Sequence, residues 1–406
     1  MKKRSSLLIS AVLGFSSLVG APCYGIESSW KGGGTNANWN TSGNWSNGIP
    51  GASTTSDQTE DVAVFSASDA TTTAVNVTSA GWNIGGIRFN EDADEDVTVT
   101  LAGNLRLRHD IIVESGSGGE HRITESTSGI NLRLGAVNET AGSYTYSILN
   151  HSASLFTIDV SFIAPSGSTN RTVNLTLGGA GDSVIGAKIN GPFASVNPIH
   201  VEKVGSGTVT LASSSGSNYV NTTVSAGTLL LTNATESGTG TGAVSVASGA
   251  AIGGSGRIAT TGTGLTLNGT LIAGLTATDT FDLHGAVTFG ETSRIQLVLG
   301  ADGASSSLVR ESGNWTFSAN QEVEFTFLPG AAGGSYTDLI TGLASDPGVA
   351  SWTIINEGWS GQFQWADGNV GVVLTAIPEP STLGMIGLVA GVGLGYRVRR
   401  KRTGVL

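Results

Sequence analysis

The chain is poor in sulfur, in charge and in helix-forming patterns. Its 406 residues include one cysteine, Cys23, and two methionines. Cys23 lies at the end of an N-terminal leader, so the exported body has no thiol. Disulfide stapling, thiol catalysis and cysteine metal sites are thereby excluded. Charged residues make up only 13% of the chain. Between the leader and the tail the only lysines are Lys31, Lys188 and Lys203, too few for a basic surface that would grip nucleic acid. From Ile26 to Thr375 no long Leu/Glu/Lys-rich amphipathic run signals a helix. A body without disulfides must draw its stability from a sizeable core or from a repeating ladder.

Both ends of the chain are transport signals. Lys2, Lys3 and Arg4 precede an apolar run from Leu7 to Val19 and then small residues. This is the pattern of a secretory signal peptide that enters the Sec translocon, and residues 1–25 are excluded from the fold. Cleavage after Gly25 suits the small residues there. Gly20-Ala21-Pro22-Cys23 is a poor lipidation box.

At the other end, Ile377-Pro378-Glu379-Pro380-Ser381-Thr382 is followed by an apolar, glycine-rich stretch from Leu383 to Tyr396, then Arg397, Arg399, Arg400, Lys401 and Arg402. Pro378 and Pro380 fix their own φ and hold the motif extended. Ser381 or Thr382 then caps a helix. That helix, roughly 24 Å long, is short against a hydrocarbon core of roughly 30 Å. It reads as a transient inner-membrane tether, its basic end held cytoplasmic by the positive-inside rule. Everything before Pro378 is therefore placed outside the cytoplasm.

The three-part order over residues 377–406 resembles the PEP-CTERM sorting signal of Gram-negative bacteria. That resemblance implies recognition and cleavage by exosortase, a membrane-embedded cysteine protease-transpeptidase, with Pro378, Glu379 and Pro380 as the sorting motif. It implies a secreted or cell-surface destination. The alternative is a plain C-terminal anchor.

The formal charge of the whole chain is −11, and removing the leader's three positive residues and the tail's five leaves a body of −19. Such a body is repelled by nucleic acid and by anionic surfaces. Glycine numbers 60, and Ser and Thr are abundant. Regular Val, Ile and Leu runs nonetheless argue for an ordered core.

The clearest pattern runs from Val201 to Leu275. Gly207-Thr-Val-Thr-Leu211 recurs as Gly227-Thr-Leu-Leu-Leu231, Gly249-Ala-Ala-Ile252 and Gly269-Thr-Leu-Ile272, with glycines 20, 22 and 20 residues apart. A short strand opened by glycine at this period predicts the coils of a parallel β-helix, since one coil cannot bury its inward face alone. An antiparallel β-sandwich is the alternative. Residues 203–258, with Asn218-Tyr219, Gly238-Thr-Gly-Thr-Gly242 and Gly253-Gly-Ser-Gly256 between the strands, resemble the autotransporter-associated β-strand repeat. That family occurs in surface-exposed passenger β-helices. No outer-membrane barrel follows here, so self-translocation is not implied.

The expected architecture is all-β: a right-handed parallel β-helix over 61–275, a Trp/Asn/Gly-rich cap over 26–60, a C-terminal β subdomain or cap over 276–376, and the sorting tail with its single short membrane helix. Trp30, Trp39 and Trp45 in the cap have two readings. They are either a sugar-stacking platform or a plug over the open end of the solenoid, and solenoid ends need plugs.

Little in the sequence points to a reaction. His109, His121, His151, His200 and His284 show no metal-ligand spacing. Neighbours His109 and Asp110 would face opposite sides of a strand. Gly238–Gly242 lacks the lysine of a phosphate loop. Asp92, Asp94 and Asp96 alternate within Glu91–Asp96 and would share one face of a strand, as oxygen ligands for Ca²⁺ or as a solvated loop. The EF-hand glycine and twelfth-position acid are missing. No paired carboxylates stand out for glycoside hydrolysis. The many Asn-x-Ser/Thr sequons are what a Ser/Thr-rich chain contains by chance.

The sequence therefore predicts a noncatalytic secreted protein of the cell surface or extracellular matrix, with no cofactor, no metal and no nucleic-acid partner. Extracellular polysaccharide is the candidate ligand. A carbohydrate-active β-helix enzyme, a lyase or a glycoside hydrolase, is the competing expectation.

Overall fold

The computed structural model describes residues 25–53, 60–66, 74–78, 81–135, 141–164, 170–191 and 197–377. The leader and the tail beyond 377 lie outside them. The described residues form a parallel-strand solenoid with almost no helix; the helical elements are single 3-10 turns at Ser42–Asn44, Ala301–Gly303 and Val349–Ser351. Two faces each carry a twelve-stranded sheet along the rod. The third face carries two six-stranded sheets, one in each half. The first face begins with Glu27–Ser29 and Val62–Phe65, and the second with Ala74–Val77.

Alternation drives the packing. Thr98–Leu101, Thr208–Leu211 and Thr228–Leu231 each expose their first and third residues more than the second and fourth. Side chains of a strand point alternately in and out, so each short strand commits one side to the interior. In-register stacking joins these sides into columns. On the second face Val75, Val99, Ile123, Ile158, Ile185, Leu211 and Leu231 are successive partners, none more than 4% exposed. Each such side chain contributes about 1.5–3 kcal/mol by leaving water.

The glycine period marks one corner of the coil. Thr208, Thr228, Ala251 and Thr270 are in register, which aligns the residues before them: Gly207, Gly227, Ala250 and Gly269. A Cβ on Gly207 would lie 2.1 Å from the carbonyl oxygen of Gly181, and one on Gly269 would lie 2.1 Å from that of Ala250. Backbones approach too closely there for most side chains. Gly249 sits one residue earlier, in open space at φ +81, so it serves the turn rather than the close approach.

The antiparallel sandwich is ruled out by these ladders. Antiparallel pairing between named strands is confined to Ala52–Ser53 against Trp82–Ile84, and to Gly334–Thr341, Trp359–Ala366 and Asn369–Ala376. The change of sequence pattern after Leu275 does not interrupt the parallel stack: Leu271, Ile295, Val323 and Ile354 continue one column. The hairpin Trp359–Ala376 closes the third face at the C-terminal end.

At the N-terminal end Trp30, Trp39 and Trp45 are 1%, 0% and 5% exposed. Trp45 packs edge-on against Trp30, with centroids 5.0 Å apart, and lies 4.9 Å from Trp39. Phe65 sits beneath all three and stacks on Phe89 at 5.2 Å. The Trp39 and Trp45 indole N–H groups donate to the carbonyls of Pro50, at 3.0 Å, and Trp39, at 2.6 Å. These rings cover the apolar column, and their faces are closed to a sugar.

Candidate functional site

The sorting residues Pro378, Glu379 and Pro380, and the basic residues Arg397, Arg399, Arg400, Lys401 and Arg402, lie outside the described residues, as does the apolar stretch between them. Their point of departure is defined. Ile377, 53% exposed, follows directly on the last strand, and its N–H donates to Gly358 O at 2.8 Å. The tail therefore leaves from the hairpin at the C-terminal end of the rod. Among the described residues no helix is long and apolar enough to cross a membrane.

Glu91–Asp96 forms a corner between Gly86–Phe89 and Thr98–Leu101. Its acidic side chains are exposed and only Ala93 is buried. Asp96 accepts a hydrogen bond from the Glu120 N–H at 2.8 Å. No group of three His, Cys, Asp or Glu among the described residues is placed to hold a metal ion.

A histidine and a lysine lie inside the columns, which alternation had not foretold. His121 is 1% exposed and stacks on Phe89, with centroids 4.4 Å apart. The Val97 N–H donates to its Nδ1 at 3.3 Å, and Nε2 lies 2.6 Å from Ser117 Oγ, which itself donates to Ala93 O. This arrangement fits the neutral ring with its proton on Nε2. Burial pushes its pKa down to about 4, against the opposing pull of Asp96. Lys203 is fully buried between Leu177 and Val224. Its Nζ donates to Val204 O, Gly205 O and Ala226 O at 2.9, 2.9 and 3.0 Å. Burial pushes its pKa down to about 8, with Asp182 opposing.

On the third face, register gathers charges that are distant in sequence. Arg257 pairs with Asp282, and Ala259 with His284; Leu283 pairs with Arg310, which brings Glu311 beside His284. Arg257 touches the His284 ring. Burial and then Glu311 raise the Asp282 pKa, while Arg257 and His284 oppose them. This is a carboxylate pair across adjacent coils that sequence reading had missed. No motif announces it, because it depends on the lengths of two coils.

The first face carries a concave site. A cleft of about 420 Å³ is lined by Thr145, Asn174, His200 and Asn221 on one outward row and by Thr176, Glu202 and Thr223 on the next. Asn221 Nδ2 lies 3.2 Å from His200 Nδ1, and Ser225 Oγ donates to Glu202 Oε1 at 2.6 Å. A smaller cleft of about 210 Å³ lies where the same face meets the C-terminal turns, lined by Arg310, Asn314, Trp315, Phe317 and Ser345 among others. The Arg310 guanidinium there is committed to Gly313 O and Gly342 O. The first cleft presents hydroxyls, amides and one imidazole around a single carboxylate, Glu202. That set suits binding of a polyhydroxylated ligand, whereas two-carboxylate hydrolysis needs a second acid.

The tail has a counterpart among known families. The model of the PEP-CTERM protein-sorting motif matches residues 376–401. That match implies an extracellular protein of a Gram-negative-type bacterium, processed by exosortase. It lies wholly within the tail; the stacked coils at 203–258 do not identify the autotransporter-associated repeat. No curated protein matches the chain.

Proposed function

We propose that the protein is a noncatalytic structural or adhesive component of the cell surface or extracellular matrix. It is exported through the Sec translocon, tethered in the inner membrane by its C-terminal apolar stretch, and released when exosortase cuts near Pro378-Glu379-Pro380. The observation that carries this reading is continuity. One parallel stack runs from the capped N-terminal end to the C-terminal turns, the antiparallel strand Asn369–Ala376 closes it, and the sorting motif follows at once. A stiff rod whose tail leaves from one end is built to be set at a surface. Its ligand in this reading is extracellular polysaccharide.

Fractionation of the native host, with mass spectrometry of both termini, tests the proposal. The expected product begins near Ile26 and lacks Arg397–Arg402. A mature protein that keeps the basic tail refutes the processing step.

A second reading has its own observation. Asp282 and Glu311, flanked by Arg257 and His284, are a carboxylate pair with basic partners, as a polysaccharide-cleaving enzyme would require. Release of reducing ends from matrix polysaccharide, abolished in Asp282→Asn, would establish it.

A further inference from the structure

The first face differs in chemistry from the other two. Its outward residues Glu202, Thr223, Ser245, Thr266, Thr288 and Thr316 are successive in-register partners, and all are exposed. Beyond Glu202 this is an unbroken file of five hydroxyls, one per coil. At strand spacing of about 4.8 Å the six positions span roughly 24 Å. Most flanking outward positions are small: Ala243, Gly264 and Ala286 on one side, Ala247 and Gly290 on the other, with the amide of Asn268 between these last two. From Asn221 to Thr316 no outward position of this face carries a charge. The second face meanwhile carries Arg294, Glu322 and Glu324, and the third carries Arg257, Asp282 and Glu311. The file opens into the 420 Å³ cleft at Glu202 and Thr223, and it ends at Thr316 beside the Asn314–Trp315 cleft.

We propose that this face binds a neutral, linear polysaccharide laid along the solenoid axis, with its ends in the two clefts. The proposal rests on the reading of the protein as a noncatalytic surface rod and gives that reading its binding site. Hydroxyls donate and accept, so a straight file of them at constant spacing matches a straight polymer of repeating hydroxyls. The small flanking residues leave a shelf on which flat sugar rings can lie. Charge selects the class. A body of −19 repels an anionic glycan, and a second copy of the chain would bring the same charge to the face. An added peptide strand is excluded on other grounds, because this sheet pairs its backbone internally along the whole file and offers no edge there.

The test is co-sedimentation of the exported protein, purified from the host, with cellulose, chitin and the anionic control polygalacturonate. Wild type is compared with Thr266→Arg and Thr288→Arg, which put bulk and charge on the shelf, and with the conservative Thr266→Ser. Both positions are exposed, and circular dichroism confirms the fold. The expected result is retention on a neutral glycan, weakened about tenfold or more by each arginine and held within about twofold by serine; tenfold is the loss of one hydrogen bond of about 1.4 kcal/mol. Equal retention on polygalacturonate, no retention on either neutral polymer, or retention indifferent to both arginines overturns the site. So does light scattering in which the arginines abolish only self-association, which would assign the face to a second copy. Reducing-end release during the binding assay would refute the noncatalytic reading while leaving the site intact.

Discussion

Acid should loosen the third coil through one residue. His121 is buried and neutral, with its ring on Phe89, its Nδ1 accepting from Val97 and its Nε2 against Ser117. Its pKa is pushed from an ordinary 6.5 to about 4. The folded state therefore binds fewer protons than the unfolded chain between those two values, and stability falls as pH drops through that window. A difference of about 2.5 pH units is worth on the order of 3 kcal/mol in full, of which about 2 kcal/mol should be lost between pH 7.5 and pH 4.5. Carboxylates elsewhere also titrate, so the wild-type slope alone proves nothing. His121→Phe isolates the effect, because phenylalanine continues the aromatic column and carries no proton. The variant leaves the Val97 N–H without its acceptor, at a cost of about 1–3 kcal/mol at pH 7.5. Its acid loss should nevertheless be smaller than that of wild type by about 2 kcal/mol. Urea midpoints followed by far-UV circular dichroism at both pH values measure this. An acid loss equal in the two proteins would refute the assignment.

Three further outcomes follow from the columns and corners. Lys203 works in the same sense in an alkaline window: its folded pKa of about 8 lies below the ordinary 10.5, so wild type should gain stability as pH rises from 8 to 10.5, by on the order of 3 kcal/mol, and Lys203→Met should lack that gain in urea titrations at pH 7.5 and 10. Trp39→Ala should cost about 3–5 kcal/mol and expose the N-terminal coils to limited proteolysis before the rest of the rod unfolds. Gly207→Ala forces a Cβ against a neighbouring carbonyl and should lower the melting temperature well below that of Gly249→Ala, whose open site costs only the left-handed backbone, about 1–2 kcal/mol.

The body's architecture was legible where its coils are most regular. From Glu202 to Thr288 the first-face rungs are 21, 22, 21 and 22 residues apart, which is why the glycines at 207, 227, 249 and 269 disclosed a solenoid. Upstream, Ser147, Thr176 and Glu202 are rungs 29 and 26 residues apart; the strands were readable there and the period was not. The binding face was hidden for a related reason. Thr223, Ser245, Thr266, Thr288 and Thr316 have nothing in common as a motif, and only the register of successive coils aligns them. Lys203 was read as one of three leftover cations. In Ile199–Val204 it takes an inward position that alternation would give to an apolar residue.

The buried polar residues answer a problem that low complexity creates. Thr-Val-Thr-Leu over 208–211 and Thr-Leu-Leu-Leu over 228–231 present nearly the same inward side chains, so apolar packing alone barely distinguishes one coil from the next. Polar groups in the columns do distinguish them. Lys203 takes two carbonyls from its own turn, Val204 O and Gly205 O, and its third, Ala226 O, only with the 224–227 corner stacked above it. Asn150 reaches across one coil to Asp182 O at 2.7 Å, and Asn233 reaches Arg257 O at 3.2 Å while accepting from the Arg257 N–H. Slipping by one coil would break the bond each of these groups makes to the neighbouring coil, at a cost of about 0.5–1.5 kcal/mol for a neutral group and more for the ammonium. Slippage of repeats is thus penalised at the third coil by His121, at the fourth by Asn150, and near the middle by Lys203 and Asn233. A chain without disulfides can in this way hold one register, and that register is what aligns the hydroxyl file on the first face.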